Sequence, residues 1–138
     1  MSPRTGTILI VEDNEDNRIV YAAMLEHIGC RVLEATNGEE GIARARADRP
    51  DVILMDIALP GIDGYEATRI LKRDPGTRHI PIIAVTAHAH DIDRRMALAA
   101  GCDEYVAKPA TPRDVADVVQ RWLEPAGGNA ARRLSPDR

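Results

Sequence analysis

The sequence predicts an α/β fold in which one parallel sheet carries helices on both of its faces. Short apolar runs typical of strands alternate five times with helix-like segments along the 138 residues. Such alternation requires right-handed crossover connections, which place the helices over the sheet. Charged residues directly follow three of the apolar runs, and ligands of open parallel sheets bind just beyond the carboxyl ends of the strands. We therefore expect one doubly wound domain with a charged site at that edge.

The five predicted strands are short runs of apolar residues. They lie near residues 7–11, 31–35, 51–55, 81–85 and 104–107. The continuous apolar character of runs such as the first and third indicates strands that are buried on both faces of a parallel sheet. Pro81 begins the fourth run, a position at which a strand tolerates proline. Motifs of this kind do not determine the order in which the strands pair.

Periodic apolar residues and capping signals mark the helices. The first and last helices show the i, i+3, i+4, i+7 spacing of one buried face. These residues are Tyr21, Met24, Leu25 and Ile28 in the first, and Val115, Val118, Val119 and Trp122 in the last. Thr111–Asp114 places a cap, a proline and an acid at a helix start, and Asp63–Glu66 resembles a capping box. Gly29 and Gly101 are predicted C-terminal caps of the first and fourth helices.

Composition limits the classes of function. The 18 basic and 22 acidic residues give a net charge of −4, which argues against nucleic acid as the main partner. Cys30 and Cys102 form no CxxC motif or Cys/His cluster, so small buried thiols are favoured over a disulfide or a zinc site. No apolar run approaches the ~18 residues of a membrane-spanning helix, and no leader opens the chain. A cytoplasmic protein without membrane insertion is expected.

The folded domain is predicted to span residues 7–123. Residues 1–6 form a short N-terminal extension. Residues 124–138 contain two prolines, two glycines and three arginines but few apolar side chains. That composition predicts a disordered C-terminal tail that is too short to be an output domain.

Three carboxylates and one lysine follow predicted strands and are expected to meet. Glu12 and Asp13 follow the first strand, Asp56 follows the third and Lys108 follows the fifth. Carboxylates at two strand ends and a lysine at a third suit a hard cation such as Mg²⁺ and a phosphoryl group. Asp56, placed directly after buried residues, is then a nucleophile that accepts phosphoryl as a mixed anhydride.

Each of these residues also has an ordinary structural explanation. A lone aspartate after a strand is usually a helix cap or a loop acid. Asp13 or Asn14 is able to start the first helix, and an acidic pair such as Glu12-Asp13 is by itself a common solvated feature. Thr86 at the fourth strand end is able to donate to a phosphoryl oxygen, but threonine is also a common strand residue. The proline after Lys108 makes that lysine more specific than a bare surface charge. No other histidine or cysteine lies at ligand spacing near His88 and His90, so they are interpreted as solvated loop residues.

Taken together, these residues resemble the receiver domain of two-component response regulators, from about Thr7 to Leu123. Five motifs occur in the expected order and at the expected intervals. They are residues 8–14 (ILIVEDN), 51–56 (DVILMD), 59–64 (LPGIDG), 81–87 (PIIAVTA) and 108–109 (KP). The resemblance implies a (βα)₅ flavodoxin-like fold with strand order 2-1-3-4-5.

The resemblance also implies a site and its partners. Asp56 would accept a phosphoryl group from a sensor histidine kinase or a histidine phosphotransfer protein. Mg²⁺, or Mn²⁺ in its place, would be held by Asp13, Asp56 and the backbone carbonyl of Ala58, with Glu12 acting through water. Lys108 would pair with the phosphate, and Thr86 would hydrogen-bond it. The residues two after the acceptor and two after the threonine, Ala58 and His88, would influence slow self-dephosphorylation.

Tyr105 lies where receivers carry a switch aromatic, although a half-buried ring on an edge strand is the ordinary explanation. By similarity, Thr86 moves toward the phosphate and Tyr105 turns inward. The change would reach the face made by the fourth helix, fifth strand and fifth helix, with Arg94, Arg95 and Arg113 as rim charges. A monomer or weak dimer is expected, with an unidentified downstream protein as the partner.

Two functions from different classes remain open. The first is a phosphorylation-dependent switch or relay, either a stand-alone receiver or a part of a hybrid kinase. The alternative is a Mg²⁺-dependent aspartyl-phosphate phosphohydrolase. Such enzymes usually place a second aspartate two residues after the nucleophile, where this chain has Ala58. A flavodoxin-like nucleotide binder is disfavoured because no glycine-rich loop follows the first strand.

Overall fold

A computed structural model describes residues 6–59, 61–87, 91–108 and 110–123. Strands and helices alternate along these residues. The strands are β1 (Thr7–Val11), β2 (Arg31–Ala35), β3 (Val52–Met55), β4 (Ile82–Thr86) and β5 (Glu104–Ala107). The helices are α1 (Glu15–His27), α2 (Gly38–Asp48), α3 (Gly64–Arg73), α4 (Asp91–Ala100) and α5 (Pro112–Trp122). The predicted tail over 124–138 and all but Gly6 of the predicted N-terminal extension lie outside the described residues.

All strand pairs are parallel, and the sheet has the order β2-β1-β3-β4-β5. The predicted fold class and strand order are therefore confirmed. Val11, the last residue of β1, is in register with Ala35 of β2 and with Met55 of β3. Because these strands end level with one another, the residues that follow them share one edge of the sheet.

The hydrophobic core lies in two layers on opposite faces of the sheet. Leu9 and Val11 belong to the layer that also contains residues of α2 and α3, whereas Ile8 and Ile10 belong to the layer with α1 and α5. Successive residues of a strand point to opposite faces, so β1 must be apolar throughout to fill both layers. The four predicted apolar residues of the last helix, Val115, Val118, Val119 and Trp122, are all buried.

The bounds of two strands, β3 and β4, differ from the predictions by one residue. β3 begins at Val52 because the Asp51 carboxylate turns back to accept a hydrogen bond from the Thr7 N–H, at 2.8 Å. β4 begins after Pro81, which has no N–H for the ladder, and it extends to include Thr86. Ile28, predicted on the buried face of the first helix, is the half-buried residue that ends α1.

The predicted caps are present. Gly29 and Gly101 have left-handed backbones, with φ angles of 100° and 116°, as expected after a helix end. Thr111 begins α5 in a reciprocal capping box, and Asp63 begins α3 by accepting a hydrogen bond from the Glu66 N–H. Each cap satisfies backbone groups that the helix itself leaves unpaired.

Both cysteines are free and buried, as predicted. Burial raises the pKa of the Cys102 thiol to about 11, so the thiolate is scarce at neutral pH. Among the described residues, no helix combines the length and the apolar character that crossing a membrane would need.

Candidate functional site

The acidic pair lies where β1 leaves the sheet. The Glu12 N–H donates to the Ala35 carbonyl at 3.0 Å, and the Glu12 side chain is 5% exposed. Asn14 caps α1 by accepting a hydrogen bond from the Asn17 N–H. Because Asn14 fills the capping role, the carboxylate of the exposed residue Asp13 is left available to the site. Helix capping and metal binding therefore do not compete in this segment, because Asn14 caps the helix while Glu12 and Asp13 belong to the acidic cluster.

Asp56 follows β3 at the same edge of the sheet. Its N–H donates to the Val11 carbonyl at 3.0 Å, which ties the residue to the end of β1. Its carboxylate Oδ1 accepts a hydrogen bond from the Ala58 N–H at 3.1 Å, and its side chain is 9% exposed. The second oxygen, Oδ2, faces Lys108. The carboxyl group is thus held by the backbone on one side and has a cation on the other.

Lys108 directly follows the carboxyl end of β5, and its side chain reaches the carboxylates. Its Nζ lies 3.0 Å from Oε1 of Glu12 and 3.6 Å from Oδ2 of Asp56. The Lys108 N–H donates to the Thr86 carbonyl at 2.8 Å, so the lysine backbone is fixed to the end of β4. Thr86 itself is fully buried. The fold therefore brings together Lys108 and Glu12, which are 96 positions apart in the chain.

The three carboxylates crowd one another. Glu12, Asp13 and Asp56 each offer an oxygen atom, and these atoms lie within 4.8 Å of one another. Burial, and then the neighbouring Asp56, raise the pKa of Glu12 above its ordinary value, although the Lys108 hydrogen bond acts to lower it. Burial acts to lower the pKa of Lys108, but Glu12 and Asp56 outweigh it and raise that pKa. One ammonium group against three carboxyl groups leaves the cluster short of positive charge.

The donor set fits a divalent cation with a preference for oxygen. Mg²⁺ binds through one or two carboxylates and keeps several waters, and Asp13 is the exposed member of the cluster. A cation there would supply the missing positive charge. Ala58 is exposed next to Asp56, but the role of its carbonyl stays a prediction.

Comparison with known proteins decides the family. The family model described as the response regulator receiver domain matches residues 8–120. The chain belongs to the receiver-domain family. Receivers of two-component phosphorelay signalling are switches rather than classical turnover enzymes, and the phosphohydrolase alternative is not favoured. The acidic cluster of this receiver lies where that family carries its phosphorylation site.

Individual relatives agree with this assignment. The polar-differentiation response regulator DivK of Brucella anthropi is 40% identical over 117 residues, which cover 85% of this chain and 95% of DivK. The receiver domain of the sensor histidine kinase PA1611 of Pseudomonas aeruginosa PAO1, crystallised with magnesium in its active-site cleft, has a TM-score of 0.81. It is 41% identical, and the match covers 88% of this chain and 99% of that domain.

A much longer relative matches the whole receiver. The sensor histidine kinase GacS of Pseudomonas protegens is 34% identical over 141 residues, and this chain spans 15% of its length. Both the stand-alone and the hybrid-kinase interpretations are consistent with these relatives.

Tyr105 of the receiver has an unusual environment. The residue is half-buried on β5, and its hydroxyl is buried without a hydrogen-bond partner among the described residues. Burial, and then the nearby Asp93, raise its pKa. The neighbouring Tyr65 instead donates its hydroxyl to the Asp93 carbonyl at 3.3 Å. Leaving a phenol hydroxyl buried and unpaired costs about 1–3 kcal/mol, which disfavours this position of the ring.

The remaining predicted residues are placed in part. Arg94, Arg95 and Arg113 are exposed, as rim charges should be. The predictions for His88, His90 and the proline after Lys108 concern positions outside the described residues and stay predictions.

Sequence reasoning missed two residues next to the site. Arg18 donates to the Glu12 carbonyl at 2.9 Å, and its signal was a cation in the first turn of a helix, where the helix dipole disfavours one. Tyr21 was assigned only to the core face of α1. Burial raises the pKa of Tyr21, Lys108 acts to lower it, and the charges of Glu12 and Asp56 act to raise it, so the phenol responds to the charges of the site.

Proposed function

We propose that this receiver is a phosphorylation-dependent switch or relay in which Asp56 accepts a phosphoryl group from a phosphohistidine. The observation that carries the proposal is the convergence of Lys108, Glu12 and Asp13 on the Asp56 carboxylate. A sensor histidine kinase or a histidine phosphotransfer protein is the donor. The downstream protein is not specified by the site.

In the transfer, an Asp56 carboxylate oxygen forms a bond to phosphorus while the phosphorus–nitrogen bond of the phosphohistidine breaks. The electron pair of that bond stays on the imidazole, so the donor leaves as histidine. The transition state is loose and spreads its charge over the phosphoryl oxygens, so position and positive charge supply most of the catalysis. Lys108 provides one such charge, and the Ala58 N–H holds the acceptor carboxylate in place.

Asp13, Asp56 and the Ala58 carbonyl would hold Mg²⁺, or Mn²⁺ in its place, and Glu12 would act through water. When bound, the ion neutralises charge on the transferred phosphoryl group. Thr86, at the end of β4, would then hydrogen-bond the phosphoryl group. The same arrangement admits water in line later, so slow self-dephosphorylation follows.

The direct test is intact-mass measurement after incubation with Mg²⁺ and acetyl phosphate. We expect each molecule to gain one phosphoryl group that mild alkali removes. Continuous release of inorganic phosphate from a phosphate ester, without a stable label, would support the phosphohydrolase instead. Absence of both would contradict small-molecule phosphorylation and would call for the same measurement with a phosphorylated histidine phosphotransfer protein.

Mg²⁺ is expected to raise the melting temperature of the receiver. Binding to the folded state at ten times the dissociation constant adds about 1.4 kcal/mol, or a few degrees. Because the pKa of Glu12 is raised, its protonated form is favoured as the pH falls, so the Mg²⁺-dependent shift should shrink between pH 7.5 and pH 5. Thermal unfolding with and without Mg²⁺ at each pH measures this.

The matched pair for the metal prediction is Asp13→Asn and Asp117→Asn, two exposed acids of which one lies in the cluster and the other on α5. Asp13→Asn should lose most of the Mg²⁺-dependent shift, whereas Asp117→Asn should keep it. Equal shifts in both variants would show that the ion acts away from the acidic cluster.

Tyr105 is the proposed switch residue, and the lack of a hydrogen-bond partner for its hydroxyl among the described residues supports a second ring position. Movement of Thr86 toward the phosphate would change the space available to the ring. The consequence would reach the face formed by α4, β5 and α5, where Arg94, Arg95 and Arg113 are exposed. That face is the proposed partner surface of a monomer or weak dimer.

The switch is tested with Tyr105→Ala and the conservative variant Tyr105→Phe, each labelled with acetyl phosphate. Tyr105→Ala should still accept phosphate, but amide chemical-shift changes should stay near Asp56 and fail to reach α4 and α5. Tyr105→Phe should preserve the spread and gain about 1 kcal/mol of stability because the unpaired hydroxyl is gone. If the amide chemical-shift changes of Tyr105→Ala extend to α4 and α5 as in the wild type, Tyr105 is not a switch residue.

A further inference from the structure

Arg18, the fourth residue of α1, connects two elements beside the acidic cluster. Its Nη1 donates to the Glu12 carbonyl at 2.9 Å, and its Nε donates to Oε1 of Glu34 at 2.9 Å. Only 13% of the side chain is exposed. The guanidinium group is therefore held by two acceptors in one orientation and does not extend into solvent.

The Glu12 peptide is fixed on both sides as a result. Its N–H donates to Ala35, the last residue of β2, and its carbonyl accepts from Arg18. Val11 is the last β1 residue in register with β2, so Glu12 is the first residue whose direction the sheet ladder no longer sets. The two bonds to Glu12 set that direction instead. The side chains of Glu12 and Asp13 project from this short segment.

Stability alone does not explain an arginine at this position. A cation in the first turn of a helix opposes the helix dipole. The pair with Glu34 is a partly exposed ion pair, with 45% of the Glu34 side chain exposed, and such pairs stabilise proteins only slightly. The unfavourable interaction with the helix dipole and the favourable ion pair with Glu34 are of similar size, so they largely cancel in the free energy of folding. The hydrogen bond to the Glu12 carbonyl is the distinctive contact that remains.

We propose that Arg18 is a positioning residue for the acidic cluster, oriented by Glu34, and that it holds the Glu12–Asp13 backbone so that both carboxylates converge on Asp56. The proposal rests on the Mg²⁺ site of the proposed function. Positioning and simple electrostatics predict opposite changes in Mg²⁺ affinity when Arg18 is replaced. Removing a cation close to a metal site should strengthen Mg²⁺ binding by charge alone. Loss of positioning should weaken it, as loss of outer-shell contacts does in other metal sites.

The test is the Mg²⁺ dissociation constant of Arg18→Met, measured by isothermal titration calorimetry well below the melting temperature. We expect binding about tenfold weaker than in the wild type, and half-maximal labelling by acetyl phosphate at correspondingly higher Mg²⁺. At saturating Mg²⁺ the labelling rate should return toward the wild-type rate. In the metal-free protein, the Glu12 amide should exchange its hydrogen faster in Arg18→Met, because its carbonyl is no longer clamped.

Arg44→Met is the matched control, since Arg44 forms an ion pair with Asp48 on α2. Its Mg²⁺ affinity should equal that of the wild type. Unchanged or tighter Mg²⁺ binding in Arg18→Met would overturn the positioning role. If Arg18→Met does not fold, Arg18→Lys keeps the charge and should bind Mg²⁺ at least about threefold more weakly, with unchanged binding overturning the role. Failure of the wild type to bind Mg²⁺ would overturn the proposed function and this inference together.

Discussion

Replacing Asp56 with asparagine is expected to abolish phosphoryl incorporation completely. The amide has no anionic oxygen to attack phosphorus, and the other carboxylates of the cluster differ from Asp56 in environment. The Glu12 carboxylate forms an ion pair with Lys108, with Oε1 3.0 Å from Nζ, and Asp13 is exposed. Intact-mass measurement after incubation with acetyl phosphate and Mg²⁺ should show the label in the wild type and none in Asp56→Asn.

The loss should be chemical rather than structural. Asparagine keeps an Oδ1 atom that accepts the Ala58 hydrogen bond, and the substitution removes one of the charges that raise the pKa of Glu12. Metal-free Asp56→Asn should therefore melt at the same temperature as the wild type or higher at neutral pH. A large fall in melting temperature would mean that loss of label reports unfolding.

Asp63→Asn is the matched control for Asp56→Asn. Asp63 is an exposed acid that caps α3, a role in which asparagine is equally good. Its label should match that of the wild type. Persistence of the label in Asp56→Asn, with phosphate located elsewhere by peptide mapping, would assign the acceptor to another residue.

Replacing Gly64 with alanine is expected to destabilise the receiver by about 2–3 kcal/mol, or roughly 10 °C in melting temperature. A Cβ atom at Gly64 would overlap the Asp56 carbonyl oxygen and would lie 2.6 Å from the Cα of Ile57. Both neighbours are backbone atoms, which cannot rotate away. Helix propensity favours alanine by only about 1 kcal/mol, so the overlap decides the sign. Chemical denaturation measures the change.

The effect should extend to the site, because the displaced atoms belong to Asp56 and the next residue. Gly64 also donates its N–H to the Ile57 carbonyl at 2.9 Å, so α3 begins in direct contact with the acceptor segment. We expect Gly64→Ala to label more slowly than the wild type at a temperature where it is fully folded. An unchanged labelling rate would show that the segment relaxes without moving the carboxylate.

Gly76→Ala is the matched glycine control. A Cβ there would meet only the side-chain ends of Asp74 and Arg49, at 3.4 and 3.5 Å. Alanine should therefore be neutral or stabilise the receiver by up to about 1 kcal/mol through the unfolded chain. Equal destabilisation by both substitutions would indicate a general sensitivity to alanine and would refute the overlap at Gly64.

Most elements of the fold were predictable because their signals are local. Short runs rich in apolar residues identified all five strands to within one residue, and glycines with left-handed backbones followed α1 and α4 where expected. Ile28 fitted the apolar spacing of α1 and packs against the core, although the helix itself ends one residue earlier, at His27. Asp63-Gly64 was recognisable as a helix start, but nothing in the sequence indicated that the backbone of Asp56 presses against Gly64.

The α/β class, the approximate strand ends and the charged residues that follow them were recognisable in the sequence, because each signal lies within a few consecutive residues. Motif spacing did not determine the strand order, which followed from resemblance and was confirmed by the sheet. That Lys108 would lie near the carboxylates was expected from the sequence, but only the folded chain shows that it lies closer to Glu12 than to Asp56. Only the folded chain shows that Arg18 donates to the Glu12 carbonyl and that Gly64 has no room for a side chain. These contacts join separate elements, so they exist only once crossover connections have brought distant strand ends to one edge of the sheet.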